Sequence, residues 1–199
     1  MTIDDKARAV FARLEKRDRE ERDTEVAREV RLRQVSPEVG RFLHTLVLAT
    51  RPRTIVEIGT SGGYSTIWLA TAARAVGGRV VTLEIDPVKV ATATASLTDA
   101  GVADVATVVE GDAFDYLRAS SDPIGFCFLD AEKEDYERFF EIVVPRLPAG
   151  GTLVADNVLS HAEELAAFTQ RALSDARLSA LVVPIGRGEL LAVRLPPGP

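Results

Sequence analysis

Two groups of residues combine types and spacing that could do chemistry. The first is contiguous: Glu57-Ile58-Gly59-Thr60-Ser61-Gly62-Gly63-Tyr64-Ser65. Glycines let a backbone turn sharply and approach a ligand closely, and a helix that follows offers unpaired N–H groups. The loop suits a nucleotide-like ligand, although the same residues could form a bare strand-to-helix turn. The second group is dispersed: Asp130 ends one apolar run, and Asp156 with Asn157 ends another. If those runs are neighbours in a sheet, two carboxylates and an amide oxygen converge. That donor set suits a hard cation such as Mg²⁺ and leaves positions for water or two adjacent hydroxyls. Taken singly, each aspartate is an ordinary turn residue, and Asn157 could simply cap the next segment.

Spacing narrows the first ligand. The glycines do not form G-x-G-x-x-G, and no Gly-Lys-Ser/Thr phosphate loop is present. The first absence argues against a nicotinamide-dependent dehydrogenase. Glu84 closes the next apolar run, where a carboxylate can accept hydrogen bonds from both hydroxyls of a ribose. Gly111-Asp112-Ala113 follows the third run and could hold an adenine edge. The set reads as an adenosine site at the carboxyl ends of parallel strands, without a pyrophosphate site.

The elements that must position these residues alternate along the chain. Apolar runs at 54–58, 79–84, 105–109, 124–129 and 151–155 are separated by helical stretches at 64–76, 87–100, 113–119, 134–146 and 162–173. Wholly apolar strands alternating with helices imply a parallel sheet covered on both faces. Segments 179–185 and 189–195 are joined by Gly186-Arg187-Gly188 alone, a connection short enough only for a hairpin. The expected fold is therefore α/β: a mostly parallel seven-stranded sheet with a C-terminal antiparallel hairpin and helices on both faces. Ser36-Pro37-Glu38 marks a helix start. Before it, residues 1–35 form a charge-dense segment with apolar positions at helical spacing. One or two amphipathic helices are expected there, serving as a lid or a dimer contact, with the main domain at 36–199.

Composition sets the outer limits. A chain of 199 residues accommodates one domain of ordinary size. Its net charge of −6 gives no general attraction to nucleic acid, although ten basic residues fall in the first 34. Cys127 is the only cysteine, so no intrachain disulfide can form. The polar start and the lack of a bilayer-length apolar run make a cytoplasmic location, with no membrane contact, the expectation.

The ordered set E-I-G-x-x-x-G-Y-S, T-L-E-I-D-P, G-D-A, L-D-A-E-K-x-x-Y and A-D-N-V-L resembles the cation-dependent O-methyltransferases related to catechol and caffeoyl-CoA O-methyltransferase. It runs from about Ser36 to Arg194. The resemblance implies a Rossmann-like methyltransferase fold, S-adenosylmethionine as cofactor, and a homodimer. It places Glu57, Gly59 and Ser65 on the methionine part of the cofactor, Glu84 on the ribose, and Asp112 and Ala113 beside the adenine. Asp130 would belong to both the cofactor site and the catalytic centre. Asp130, Asp156 and Asn157 would hold Mg²⁺ or another divalent cation, and Lys133 would be the catalytic base.

That chemistry has a clear logic. Displacement at a sulfonium methyl needs an oxygen nucleophile, and a phenol with a pKa of about 10 supplies little phenolate at neutral pH. A cation that holds a vicinal diol lowers that pKa and fixes one oxygen in place. The expected acceptor is thus a small, catechol-like dihydroxy aromatic. A hydroxylated uridine in tRNA is the alternative acceptor, and a non-catalytic adenosine-ligand protein is the alternative class. Three features depart from better-known members. Ser160-His161 leads directly into a helix near Ala162 without a longer insertion, Thr169 follows Phe168 where asparagine is common, and Arg187 stands between glycines where an acidic residue often sits. His161 reads as an ordinary loop histidine, Cys127 and Trp68 as core, and Tyr64 as a residue positioned by the loop.

Overall fold

A computed structural model describes residues 3–24 and 31–198. Helix α1 (Asp5–Asp23) begins where Asp4 accepts a hydrogen bond from the Ala7 amide at 2.8 Å. Its apolar residues Ala7, Val10, Phe11 and Leu14 recur at one-face helical spacing, and all four are buried. Part of the expected second N-terminal helix falls on 25–30, outside the described residues. Helix α2 (Pro37–Thr50) starts as its sequence demands: Ser36 Oγ accepts from the Val39 amide at 3.3 Å, and Pro37 occupies the first turn.

The alternation that follows gives β1 (Thr54–Ile58), α3 (Tyr64–Val76), β2 (Arg79–Glu84), α4 (Pro87–Asp99), β3 (Ala106–Glu110), α5 (Ala113–Ala119) and β4 (Phe126–Leu129). It continues through α6 (Tyr136–Val143), β5 (Thr152–Ala155), α7 (Ala166–Ser174), β6 (Leu178–Val183) and β7 (Glu189–Arg194). The seven strands form one sheet in the order β3-β2-β1-β4-β5-β7-β6. The pairs among β1 to β5 are parallel, whereas β7 runs antiparallel to both β5 and β6. The expected hairpin is therefore present. The order reverses between β1 and β4, which opens a crevice at the carboxyl ends of those strands.

Both sheet faces are covered, so successive residues of one strand enter different cores. Ile55, Phe126 and Phe128 pack with α1, α2 and α3, while Val56, Cys127 and Leu129 pack with α5, α6 and α7. Phe11 of α1 stacks on Trp68 of α3 at 4.4 Å between ring centroids and meets the edge of Tyr64 at 5.1 Å. The N-terminal helix thus shares the core that supports the loop before α3. No helix among the described residues is long and apolar enough to cross a membrane.

Three expected boundaries shift for physical reasons. The helix expected over 134–146 is split into a 3₁₀ turn at Lys133–Asp135, α6, and a second 3₁₀ turn at Val144–Arg146. Pro145 lacks the amide that would continue an α-helix. The helix expected from 162 begins only at Ala166. Before it, the amides of Leu159 and Ser160 are held by the Arg187 carbonyl at 3.1 and 2.9 Å, which fixes that stretch as a turn. Strand β6 stops at Val183 because Pro184 cannot donate to the ladder.

Phe11→Ala should lower folding stability by about 3 kcal/mol, the usual cost of removing a buried aromatic ring. Urea unfolding followed by circular dichroism should show a lower midpoint with little change in slope. An unchanged midpoint would mean that α1 does not share the main core.

Candidate functional site

Among the residues singled out from the sequence, Gly111, Gly59, Asp130 and Asp156 stand one position beyond the ends of β3, β1, β4 and β5, where the hydrogen-bond ladder of the sheet still reaches them. The Gly111 amide bonds Glu84 O at 2.9 Å, and Gly59 bonds Leu83 O at 3.1 Å. Asp130 bonds Ile58 O at 2.9 Å, and Asp156 bonds Leu129 O at 3.0 Å. Together they edge a cleft of about 890 Å³. Gly59 has a φ of +98°, and a Cβ there would collide with the Asp130 carbonyl oxygen. Only glycine lets β1 turn away beneath β4 at this crossing.

The glycine loop is tied from both sides. Its Ser61 amide donates to Glu84 Oε2 at 2.8 Å, while the Ile85 and Asp86 amides reach Glu84 Oε1 at 3.0 Å each. Glu84 is therefore oriented by three backbone donors at the cleft wall. Asp112 caps α5 through the Phe114 amide at 2.6 Å, and Ala113 follows it at the cleft wall. From the N-terminal side, Leu32 lies against the loop. Its amide donates to the buried Glu21 carboxylate at 2.9 Å, and its carbonyl accepts from the Ser61 hydroxyl. Tyr64 donates to Glu15 at 2.7 Å, so its hydroxyl anchors α1.

Glu57 lies behind the loop rather than at the cleft surface, because β1 is buried on both faces. Thr66 donates to its Oε2, and its Oε1 is buried without a hydrogen-bond partner among the described residues. Burial pushes the Glu57 carboxyl up to about 7, against the pull of the nearby Ser65, Thr66 and Thr82 hydroxyls, with a further upward push from Asp130. Ser65 itself lines the cleft.

Adjacent strands β4 and β5 do bring Asp130, Asp156 and Asn157 together. Asn157 donates through its amide nitrogen to Asp130 Oδ1 at 3.3 Å, which leaves its carbonyl oxygen for a ligand. The Asn157 backbone sits in the left-handed region at φ +73°, and its amide donates to Asp156 Oδ1 at 2.6 Å. Burial, and after it the neighbouring Asp156, pushes the Asp130 carboxyl up to about 6, while Lys133 and Arg33 pull it back. Lys133 Nζ donates to Asp130 at 3.3 Å, to the Ala131 carbonyl at 2.9 Å and to the Tyr136 hydroxyl at 2.9 Å. Two crowded carboxylates and an amide oxygen are a donor set that fits a hard divalent cation. No group of three His, Cys, Asp or Glu side chains suited to a metal exists among the described residues. The set depends on the asparagine.

Sequence reading did not single out Glu189, Tyr136 or Arg33. Glu189 opens β7, is fully buried, and neither of its carboxyl oxygens has a hydrogen-bond partner among the described residues. Burial, and next the adjacent Asp156, pushes it far above the usual carboxylate range. The register of β7 against β5, which pairs Leu190 with Ala155, is what places it beside Asp156. Tyr136 was visible as the last residue of L-D-A-E-K-x-x-Y, but nothing local shows that its hydroxyl meets Lys133. Arg33 reaches Glu132 at 2.7 Å from 99 residues away in sequence. His161 stands at the cleft wall, its Nδ1 3.0 Å from the Ser160 hydroxyl.

Comparison with known proteins adds an independent line of evidence. The sequence model described as O-methyltransferase matches residues 14–195. A catechol O-methyltransferase from Mycobacterium tuberculosis is 42% identical over 126 residues, 63% of this chain; the match spans only 57% of that relative's length. The solved O-methyltransferase from Bacillus cereus in complex with SAH superposes with a TM-score of 0.79 at 29% identity, covering 94% of this chain and 90% of that one. TomG from Streptomyces achromogenes, an O-methyltransferase of tomaymycin synthesis solved with SAM, gives a TM-score of 0.78 at 28% identity, covering 92% and 89%.

The buried Glu57 carboxyl generates a pH dependence with a defined sign. Unfolded, it releases its proton near pH 4.5, and folded near about 7. Across that window the unfolded state binds fewer protons, so stability falls as pH rises, by about 3 kcal/mol from this group. Denaturant unfolding of wild type and Glu57→Gln at pH 5 and pH 8 should show the gap moving in the variant's favour by about that amount. A gap independent of pH would contradict the assignment.

Proposed function

The chain belongs to the O-methyltransferase family, and on that premise we propose that it transfers the methyl group of S-adenosylmethionine to one hydroxyl of a small vicinal-dihydroxy aromatic, assisted by a divalent cation such as Mg²⁺. The observation that carries the reading is the meeting of Asp130, Asp156 and Asn157 on the ends of neighbouring strands, at one end of a cleft whose other end is edged by Glu84 and Asp112. The parts of the site are divided in the same way. Glu84, already oriented by three amides, takes the ribose hydroxyls, and Asp112 with Ala113 borders the adenine. Gly59 and Ser65 face the methionine part, and Glu57 supports them from behind. The α1 helix and the chain around Leu32 close over the cofactor.

Asp130, Asp156 and Asn157 would hold the cation. When bound, it supplies Lewis-acid stabilisation of a phenolate and a fixed position for the diol. Methyl transfer forms a carbon–oxygen bond as the sulfur–carbon bond breaks, and it releases S-adenosylhomocysteine and the hydroxyl proton. Once it has given up one of its three hydrogens, the Lys133 nitrogen would have the lone pair to take up that proton. Its nitrogen is held by Asp130, Ala131 and Tyr136, a rigid mounting that favours one approach direction. Tyr136 in turn shares its single hydroxyl proton between the Leu129 and Asp156 carbonyls at 3.3 and 3.2 Å, tying the base to both strands.

The test is transfer of labelled methyl from S-adenosylmethionine to catechol, with Mg²⁺ or with EDTA. Chelation should abolish transfer, and Asp156→Ala and Asn157→Ala should each lower kcat/KM at least about 100-fold, as expected when a ligand to an activating cation is lost. Undiminished turnover in EDTA would overturn the cation-assisted step. Cofactor binding without transfer to catechol or to tRNA would favour a non-catalytic adenosine-ligand protein, and transfer to tRNA alone would identify the other acceptor.

A further inference from the structure

The acceptor end of the cleft is not electrically neutral. Arg22 of α1, Arg33 and Arg187 line both the main cleft and a small adjoining recess, which Asp18 and Arg31 complete. In a chain of net charge −6, these guanidinium groups converge from three separate segments. Two of the three are already committed: Arg22 pairs with Asp18 at 2.9 Å and Arg33 with Glu132 at 2.7 Å. Arg187 is exposed and has no ion-pair partner among the described residues.

The backbone of Arg187 is nevertheless fixed. Its carbonyl accepts from the Leu159 and Ser160 amides, and the Gly188 carbonyl accepts from Val158 at 2.9 Å. These bonds clamp the β6–β7 turn onto the residues directly after Asp156 and Asn157. Gly188, at φ +91°, packs against Leu159, and Gly186, at φ +54°, against Val39. An uncommitted guanidinium is thus mounted beside the corner where the diol would be held, with two more behind it. Guanidinium forks recognise carboxylate and phosphate oxygens in preference to neutral groups.

Building on the diol methyltransferase reading, we infer that Arg187, backed by Arg33 and Arg22, selects acceptors that carry an anionic group, a carboxylate or a phosphate, on the substituent of the dihydroxy ring. The guanidinium groups bind that group equally in the ground state and the transition state, so selection appears in KM rather than kcat. The sites are solvent-exposed, so the preference weakens with salt.

The full-length chain with S-adenosylmethionine and Mg²⁺ is assayed on caffeate and its methyl ester, a pair alike in shape and different in charge. A catechol alkyl phosphate and the parent alcohol form a second pair, which separates carboxylate from phosphate as the preferred anion. Wild type should favour the anionic member by about tenfold in kcat/KM at low salt, through KM, and by less at 0.5 M NaCl. Arg187→Glu should erase or reverse that ratio, and Arg187→Lys should retain most of it. Equal use of charged and uncharged acceptors by wild type, or equal losses on both in Arg187→Glu, would overturn the inference while leaving diol methylation intact. Failure to methylate either pair or catechol itself would instead remove the reading beneath it, and this inference with it.

Discussion

The site depends on a sheet whose hydrogen-bond ladder continues one residue past its strands. Gly111, Gly59, Asp130 and Asp156 each donate a backbone amide to the neighbouring strand, so these four residues at the cleft edge are also rungs. Side chains mounted this way inherit the rigidity of the sheet. The tightest point is the crossing of β1 and β4, where Gly59 turns against the Asp130 carbonyl. That contact sets the distance between the loop that would receive a cofactor and the acidic corner that would receive an acceptor. Methyl transfer demands such fixed spacing, because an in-line displacement tolerates little misplacement.

Electrostatics gives the same architecture its tension. Glu57, Asp130, Asp156 and Glu189 are gathered within the centre of the fold, with Lys133 as the cation hydrogen-bonded to that group. Burial and mutual repulsion push three of these carboxyls upward. The corner is therefore costly for stability above neutral pH and favourable for anything that brings positive charge. A divalent cation would relieve both effects, and the fold holds its donors ready on rigid strand ends. Elsewhere in the lining of the same cleft, Arg187 adds a guanidinium with no ion-pair partner among the described residues, beside the ion-paired Arg22 and Arg33. A molecule entering with an anionic tail and a diol head would meet matching charge at both ends.

Much of this was legible in the sequence because it is local. Apolar runs ending in Glu84, Asp130 and Asp156 located the strand ends, and the short Gly186-Arg187-Gly188 link forced the hairpin. Ser36-Pro37 announced its helix through cap chemistry that needs no distant partner. What escaped reading depends on contacts between distant segments. Leu32 gains its place from Glu21 and Ser61, and Glu189 becomes a neighbour of Asp156 only once the β5–β7 register is set. The delayed start of α7 follows from the Arg187 carbonyl holding Leu159 and Ser160, which no periodicity in 160–173 could disclose. Glu57 shows the same limit: its sequence neighbours place it beside the loop, but only burial on both faces of β1 puts it behind the cleft wall.

The central claim is that two rungs and an asparagine form a cation site. Titration of the full chain with Mn²⁺ in the presence of S-adenosylhomocysteine, followed by the loss of the free-ion electron paramagnetic resonance signal, tests it without requiring an acceptor. The account predicts one bound ion per chain, displaced by excess Mg²⁺ and lost in Asp156→Ala, while S-adenosylhomocysteine still binds. Mn²⁺ that does not bind, or binds equally well to Asp156→Ala, would contradict it.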